Sequence, residues 1–299
     1  MSGALSLGDK GQRRTRFQMG QKMRTQLGDL ATWAVLLLGS VVMVLPFFWM
    51  VSGSVKSLAE IYAYPPTFIP QAVQLENYVE VWRRLPFHLF FLNSFFVSTT
   101  VTVGVLFTSS LAGYSFSRLH YPGRDTIFLF YLSTMMVPFA VTLIPMYALM
   151  GMLHWVDTLT ALIVPGLFSA WGTFLNRSFM MTIPRELEDA ALIDGCSYFR
   201  IYWSVILPLS KPVLATLAIF EFMGVWNDFL WPLIMISSMK NKTLPLGLAA
   251  FQAMAAVKTP WHLIMAASVM SVIPILVLFI VGQKYYVQGI VTTGLKGVA

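Results

Sequence analysis

Residues 182–212 read TIPRELEDAALIDGCSYFRIYWSVILPLSKP, a charged and aromatic stretch set between two apolar runs. A connection of that length has structure of its own or a task. Pro184 suits the first turn of a helix, where its missing N–H removes no hydrogen bond. Glu186, Glu188 and Asp189 follow at the positive end of the helix dipole. Leu187, Ala190, Ala191 and Asp194 recur at helical spacing and share one face. Gly195 ends the helix because it accepts a left-handed backbone. Ser197 then caps a second helix, Tyr198 to Ile206, which Pro208 and Pro212 are expected to end. The product is a helix–glycine–helix knob with two readings. Small Ala190 and Ala191 let a partner approach closely while the acidic turn offers charge-assisted bonds. Alternatively, the hairpin is amphipathic and lies flat on a membrane.

The flanks of the knob require a membrane. About 20 apolar residues cross a bilayer core, and six stretches qualify: about 30–52, 89–113, 126–150, 158–180, 213–236 and 262–283. The predicted fold is all-α, a polytopic membrane protein with residues 1–28 as a tail and 29–299 as the membrane domain. Pro138 and Pro145 should kink the third span without preventing it. Composition agrees: of 299 residues, 57% are hydrophobic and 11% charged, against about 25% charged in soluble domains. That excludes an ordinary soluble enzyme, and so much apolar side chain excludes disorder. The net charge of +7 falls in short clusters between apolar runs, with no basic stripe interleaved with exposed aromatics. Membrane lipid, rather than nucleic acid, is the partner such clusters fit.

Lysine and arginine also set orientation. With the N-terminus inside, the tail residues Lys10, Arg13, Arg14, Arg16, Lys22 and Arg24 are cytoplasmic, as are Arg118, Arg124, Arg177, Arg185, Arg200, Lys211, Lys284 and Lys296. Only Lys56, Arg83, Arg84, Lys240, Lys242 and Lys258 fall outside, so both termini are expected in the cytoplasm. The first apolar run is too long for the core of a cleaved signal peptide. Two external segments result, 53–88 and 237–261. In the first, Tyr64 to Pro70 should be extended or turning, and Asn77 to Leu85 a short interfacial helix. Cys196 is the single cysteine, and His88, His120, His154 and His262 lie apart, which leaves no metal spacing and no nucleophile–base pair.

Asp189-Ala190-Ala191, three residues, Gly195, nine residues, then Val205-Ile206-Leu207-Pro208 resembles the EAA loop of ABC importer permeases. Asp189 stands where that pattern has glutamate, and Val205 where it has isoleucine. A second stretch, Phe220-Glu221-Phe222-Met223-Gly224-Val225-Trp226-Asn227-Asp228-Phe229-Leu230-Trp231-Pro232, is similar to the fifth span of maltose-type carbohydrate importers. Asn93-Ser94, Pro145-Met146-Tyr147 and Gly294-Leu295-Lys296-Gly297 resemble the same subfamily. The resemblance implies a type I importer permease in a bacterial or archaeal inner membrane. It implies as partners a second homologous permease, a dimer of ATPase subunits and an extracytoplasmic substrate-binding protein. Glu188, Asp189, Ala190, Ala191, Asp194, Gly195, Leu207 and Pro208 would then form the ATPase-coupling site. The chain has no G-x-x-x-x-G-K-[ST] loop, so ATP and Mg would bind the partner ATPase and no cofactor this chain.

Glu221, Gly224 and Asp228 fall on one stripe of the expected fifth span. A carboxylate inside a span needs a partner or water. Asn93, Glu221, Asn227 and Asp228 are therefore candidates for a translocation path for a hydroxylated solute. The competing reading is that they lock helices together, or that Asp228 sits near the outer surface; Asn93, Ser94 and Ser98 would serve close packing. The function the resemblance implies is import of a carbohydrate or sugar-like solute by alternating access. The alternatives are a polyol or glycerol-phosphate-type solute on the same machinery, and an ATPase-independent secondary transporter or channel. The latter predicts coupling carboxylates and repeat symmetry, and neither is evident in the sequence.

Overall fold

The computed structural model describes the backbone of residues 7–253 and 259–294. The first helix, α1 (Leu7–Ser54), carries the first apolar run and leads through a short α2 (Leu58–Ile61) to α3 (Glu76–Arg84), the short helix expected over Asn77 to Leu85. Then comes α4 (Phe87–Arg118), 32 residues without an internal proline, which at 1.5 Å per residue reaches roughly 48 Å. The chain continues through α5 (Arg124–Ser133), α6 (Phe139–Met152), α7 (Thr160–Ile163) and α8 (Ala170–Met180). The knob segment contributes α9 (Glu186–Ile193), α10 (Tyr198–Ile201), a π turn at Tyr202–Ile206 and α11 (Leu207–Leu209). The remainder is α12 (Lys211–Trp226), α13 (Leu230–Met235), α14 (Leu244–Ala253) and α15 (Trp261–Gly294). Lys258, Lys296 and Gly297 lie outside the described residues, as do the side chains of the basic tail.

Among the described residues the six expected spans are not all uninterrupted. Among the described residues, three helices are long and apolar enough to cross a bilayer unbroken, at Gly28–Ser54, Phe87–Arg118 and Trp261–Gln283. The expected third span is bent by 95° between α5 and α6. Pro138 caps α6 in extended backbone, so it breaks the run rather than kinking it. The expected fourth span is discontinuous, because Pro165 and Gly166 force a tight 3₁₀ turn before Ser169 restarts the chain as α8. The expected fifth span stops at Trp226 and resumes only at Leu230. The second arm of the knob also departs from expectation. Its helix loosens into the π turn, and Pro208 then opens α11, where its missing N–H is tolerated. The chain bends by 75° at Ser210 before α12.

α4 is the central post, packed against α8 and α12, while α15 packs against α1, α3 and α12. The α4–α8 contact is close because Gly113 has no side chain. A Cβ there would lie 2.7 Å from the Asn176 Cβ and 3.0 Å from the Arg177 backbone nitrogen. Small residues permit such approach where lipid offers no hydrophobic drive between helices. For the same reason α1 keeps Leu36, Leu37, Val42 and Phe47 exposed along its length. Three apolar clusters run along the post. One gathers Val81, Phe87, Phe90, Phe222, Trp226 and Leu263 at its start, a second gathers Val97, Val101, Leu217 and Trp231, and a third gathers Tyr114, Met180, Ile201 and Tyr202 at its end.

Candidate coupling site and candidate path

The knob is built as its residues dictate. At the end of α9 the Cys196 N–H donates to the Ala191 carbonyl and the Gly195 N–H to that of Leu192, both at 3.0 Å. With Gly195 at φ +80°, this is the paired closure that a left-handed residue permits at a helix end. The Ser197 hydroxyl accepts from the Arg200 N–H at 3.4 Å and starts α10. Ala191 and Cys196 are half-buried against the cluster of Tyr114, Met180, Ile183, Ile201, Tyr202 and Ile206. Asp189, Ala190, Asp194, Gly195 and Pro208 are exposed. Beside them stand Leu187, Leu192, Tyr198, Phe199 and Ile193, the last 86% exposed. The outer surface of the knob is thus apolar with an acidic edge, the character of an interaction site. Leu207 and Pro208 line a mainly apolar cavity of about 450 Å³ with Phe107, Tyr202, Trp203 and Lys211.

Glu188 differs from the rest of the predicted coupling residues. It turns inward to Arg118 at the end of α4, with Nη1 to Oε1 at 3.0 Å and only 3% and 12% of the two side chains exposed. Burial pushes the Glu188 carboxyl above its ordinary value. Arg118 and then Arg185 pull it down, Asp189 pushes it up again, and burial prevails. The second guanidinium nitrogen of Arg118 donates to the Ile183 carbonyl at 2.6 Å and to that of Met180. By sequence alone Arg118 is an orienting charge. Its signal was the four-residue spacing Ser110, Tyr114, Arg118 on one helix face, which carries meaning only once the neighbouring elements are known.

Each of the four path candidates is engaged by a different partner. The Asn93 amide donates to the carbonyls of Lys240 and Lys242 at 2.8 and 3.0 Å, so it fastens α4 to the segment before α14. Beside it the Ser94 hydroxyl accepts from the Leu244 N–H at 2.7 Å. Glu221 hydrogen-bonds with Ser169, whose hydroxyl also accepts from the Gly172 N–H at 3.0 Å and caps α8. Ser109 of α4 donates to the Ser169 carbonyl and Thr108 to that of Leu167. A polar knot therefore sits where the fourth run breaks, and Glu221 is part of it. Asn227 caps α12, its amide donating back to the Met223 carbonyl at 2.8 Å. Asp228 lies beyond the end of α12, which removes it from the expected stripe, and its carboxylate accepts from the Trp231 N–H at 3.4 Å. The aromatics of the same stretch are structural. Trp226 donates to the Ser271 carbonyl and Trp231 to that of Ala161.

On the face opposite the knob, the turn after α6 is latched to the segment after α13. Asp157, at φ +61°, accepts from the Ser237 and Ser238 N–H groups at 3.0 and 2.9 Å and from the Ser238 hydroxyl at 2.9 Å. Burial raises this carboxyl, but the Ser238 and Ser237 bonds outweigh it and hold it below its ordinary value.

Residues 19–292 match the family described as binding-protein-dependent transport system inner membrane component. The chain is 34% identical over 257 residues to an arabinooligosaccharides transport system permease protein of Halalkalibacterium halodurans, covering 85% of this chain and 91% of that one. It is 31% identical over 269 residues to an sn-glycerol-3-phosphate transport system permease protein of Yersinia pestis, covering 88% and 96%. A bacterial ABC transporter involved in the import of the acidic polysaccharide alginate shares the fold, with a TM-score of 0.80 at 22% identity over 87% of this chain and 97% of that one.

Proposed function

Because the chain belongs to the family of binding-protein-dependent transport system inner membrane components, we propose that it is the permease subunit of an ABC importer for a carbohydrate or sugar-like solute. The observation that carries this reading is the knob: a rigid helix–turn–helix, buried on one side and presenting Asp189, Ala190 and Ile193 on the other. A separate ATPase subunit, holding ATP and Mg, grips that outer side. Its closure moves the knob as a body and drives alternating access, which needs a rigid element joining two bistable parts. A second, homologous permease completes the path, and an external binding protein delivers the solute to 53–88 and 237–261. Both termini then face the cytoplasm, a placement the lysine and arginine distribution supports. Glu221 sits in the polar knot at Ser169, which supports a helix-locking role for it over direct solute contact.

A carbohydrate is the first choice of solute because the arabinooligosaccharide relative is 34% identical. The glycerol-3-phosphate relative, at 31%, supports a second reading on the same machinery. Co-expression with an ATPase subunit and a second permease tests both. The chain should co-purify with an ATPase and a second permease, and vesicles containing the complex should take up either arabinooligosaccharide or sn-glycerol-3-phosphate only when ATP is inside. Uptake by this chain alone would refute the reading.

A further inference from the structure

Ser110, Tyr114 and Arg118 stand four residues apart on one face of α4, and each reaches a different part of the knob. The Ser110 and Tyr202 hydroxyls meet at 2.8 Å, and the Tyr114 hydroxyl donates to the Tyr198 carbonyl at 3.2 Å. Arg118 pairs with Glu188 at 3.0 Å and donates to Ile183 and Met180. Both arms of the knob and the turn that leads into it are therefore held on about 12 Å of a single helix. A knob fixed at one point would pivot, whereas one fixed on three successive turns moves only with the helix that holds it. The opposite end of that helix is tied as firmly, through Asn93 to Lys240 and Lys242 and through Ser94 to Leu244. Between the two sets of ties α4 has no proline and no break.

We infer that α4 is the push-rod of this permease, with Ser110, Tyr114 and Arg118 as positioning residues that make the knob and α4 one body and carry its displacement to residues 240–244 on the opposite face. The inference rests on the importer reading and adds which helix the ATPase drives. It also gives Glu188 a role distinct from that of Asp189 one residue on. Glu188 bolts the knob to α4 from within, and Asp189 stays on the surface for the partner. A buried ion pair suits a bolt, because removing either member strands the other charge.

The test uses the assembled complex in lipid nanodiscs, with Cys196→Ser and spin labels on Glu186→Cys in α9 and Leu92→Cys near the start of α4. The labels stand roughly 40 Å apart by helix rise. The probe is Mg-ATP with vanadate, compared with no nucleotide. The expected result is one label distance, unchanged by nucleotide. Adding Arg118→Met and Tyr114→Phe should let that distance shift or broaden by about a helical turn, ~5 Å, on vanadate trapping. Arg118→Lys should give a smaller change, since it keeps a charge for Glu188 but loses the fork to the two carbonyls. A distance that changes with nucleotide in the parent complex overturns the inference whether or not the variants fold, and so does a fixed distance in the folded variants. If no ATPase assembles with the chain, the importer reading falls first and this one with it.

Discussion

Gly195 holds the turn of the knob at φ +80°, and a Cβ built there meets no atom within 4 Å. Replacing it with alanine therefore costs nothing in packing within this chain, and the whole penalty is backbone. A left-handed conformation costs an ordinary L-residue about 1–2 kcal/mol. Asparagine, although larger, adopts it more readily. The strain falls on one turn, closed by the Gly195 and Cys196 N–H bonds to Leu192 and Ala191. Its opening population should rise about 5–30-fold in Gly195→Ala. Hydrogen exchange of the 186–201 amides in nanodiscs reads this directly. Alanine should speed exchange at Gly195 and Cys196 by that factor while α4 and α12 stay unchanged, and Gly195→Asn should lie near the parent. In the assembled importer the same order, glycine then asparagine then alanine, should appear in the ATP-driven uptake rate. An order that follows side-chain size instead, with asparagine worse than alanine, would refute the backbone argument and place the constraint in a partner surface.

Other outcomes follow from the same geometry. Gly113→Ala should destabilise the protein by about 1–3 kcal/mol, because its Cβ would press on Asn176 Cβ and on backbone at Arg177; an unchanged thermal unfolding temperature in detergent would contradict the close α4–α8 approach. Ser169→Ala should cost about 1–3 kcal/mol by leaving Glu221 without its hydroxyl partner and Gly172 without its cap, whereas Glu221→Gln keeps a partner for Ser169 and should be mild. If Glu221→Gln keeps stability but abolishes uptake, the carboxylate serves the path and not the lock. Asp157, held below its ordinary value, stabilises the fold above that value and stops doing so as pH falls through the depressed one. The unfolding-temperature gap between the parent and Asp157→Asn should therefore be flat above pH 3.8 and close below it.

What the sequence determined by itself was everything written in local spacing. The acidic first turn, Gly195 and Ser197 follow from helix-end chemistry, which depends on residues a few positions apart. The membrane class follows from apolar run length, and the resemblance to an importer family is carried by Asp189, Gly195 and Pro208. Tertiary structure alone decided where runs of correct composition break. Hydropathy counted the 158–180 and 213–236 stretches as spans, because it sums side chains and is blind to the 3₁₀ turn at Pro165 and to the cap at Asn227. It also decided which polar groups are spent on structure. Asn93, Glu221 and Asp228 each met a partner between 3 and 149 residues away in the chain, Ser169 for Glu221 and a lysine carbonyl for Asn93 among them. Arg118 could be read as an orienting charge until α9 was folded against α4. Seventy residues separate it from Glu188, and no local pattern spans that gap, because burial of the pair comes from tertiary packing.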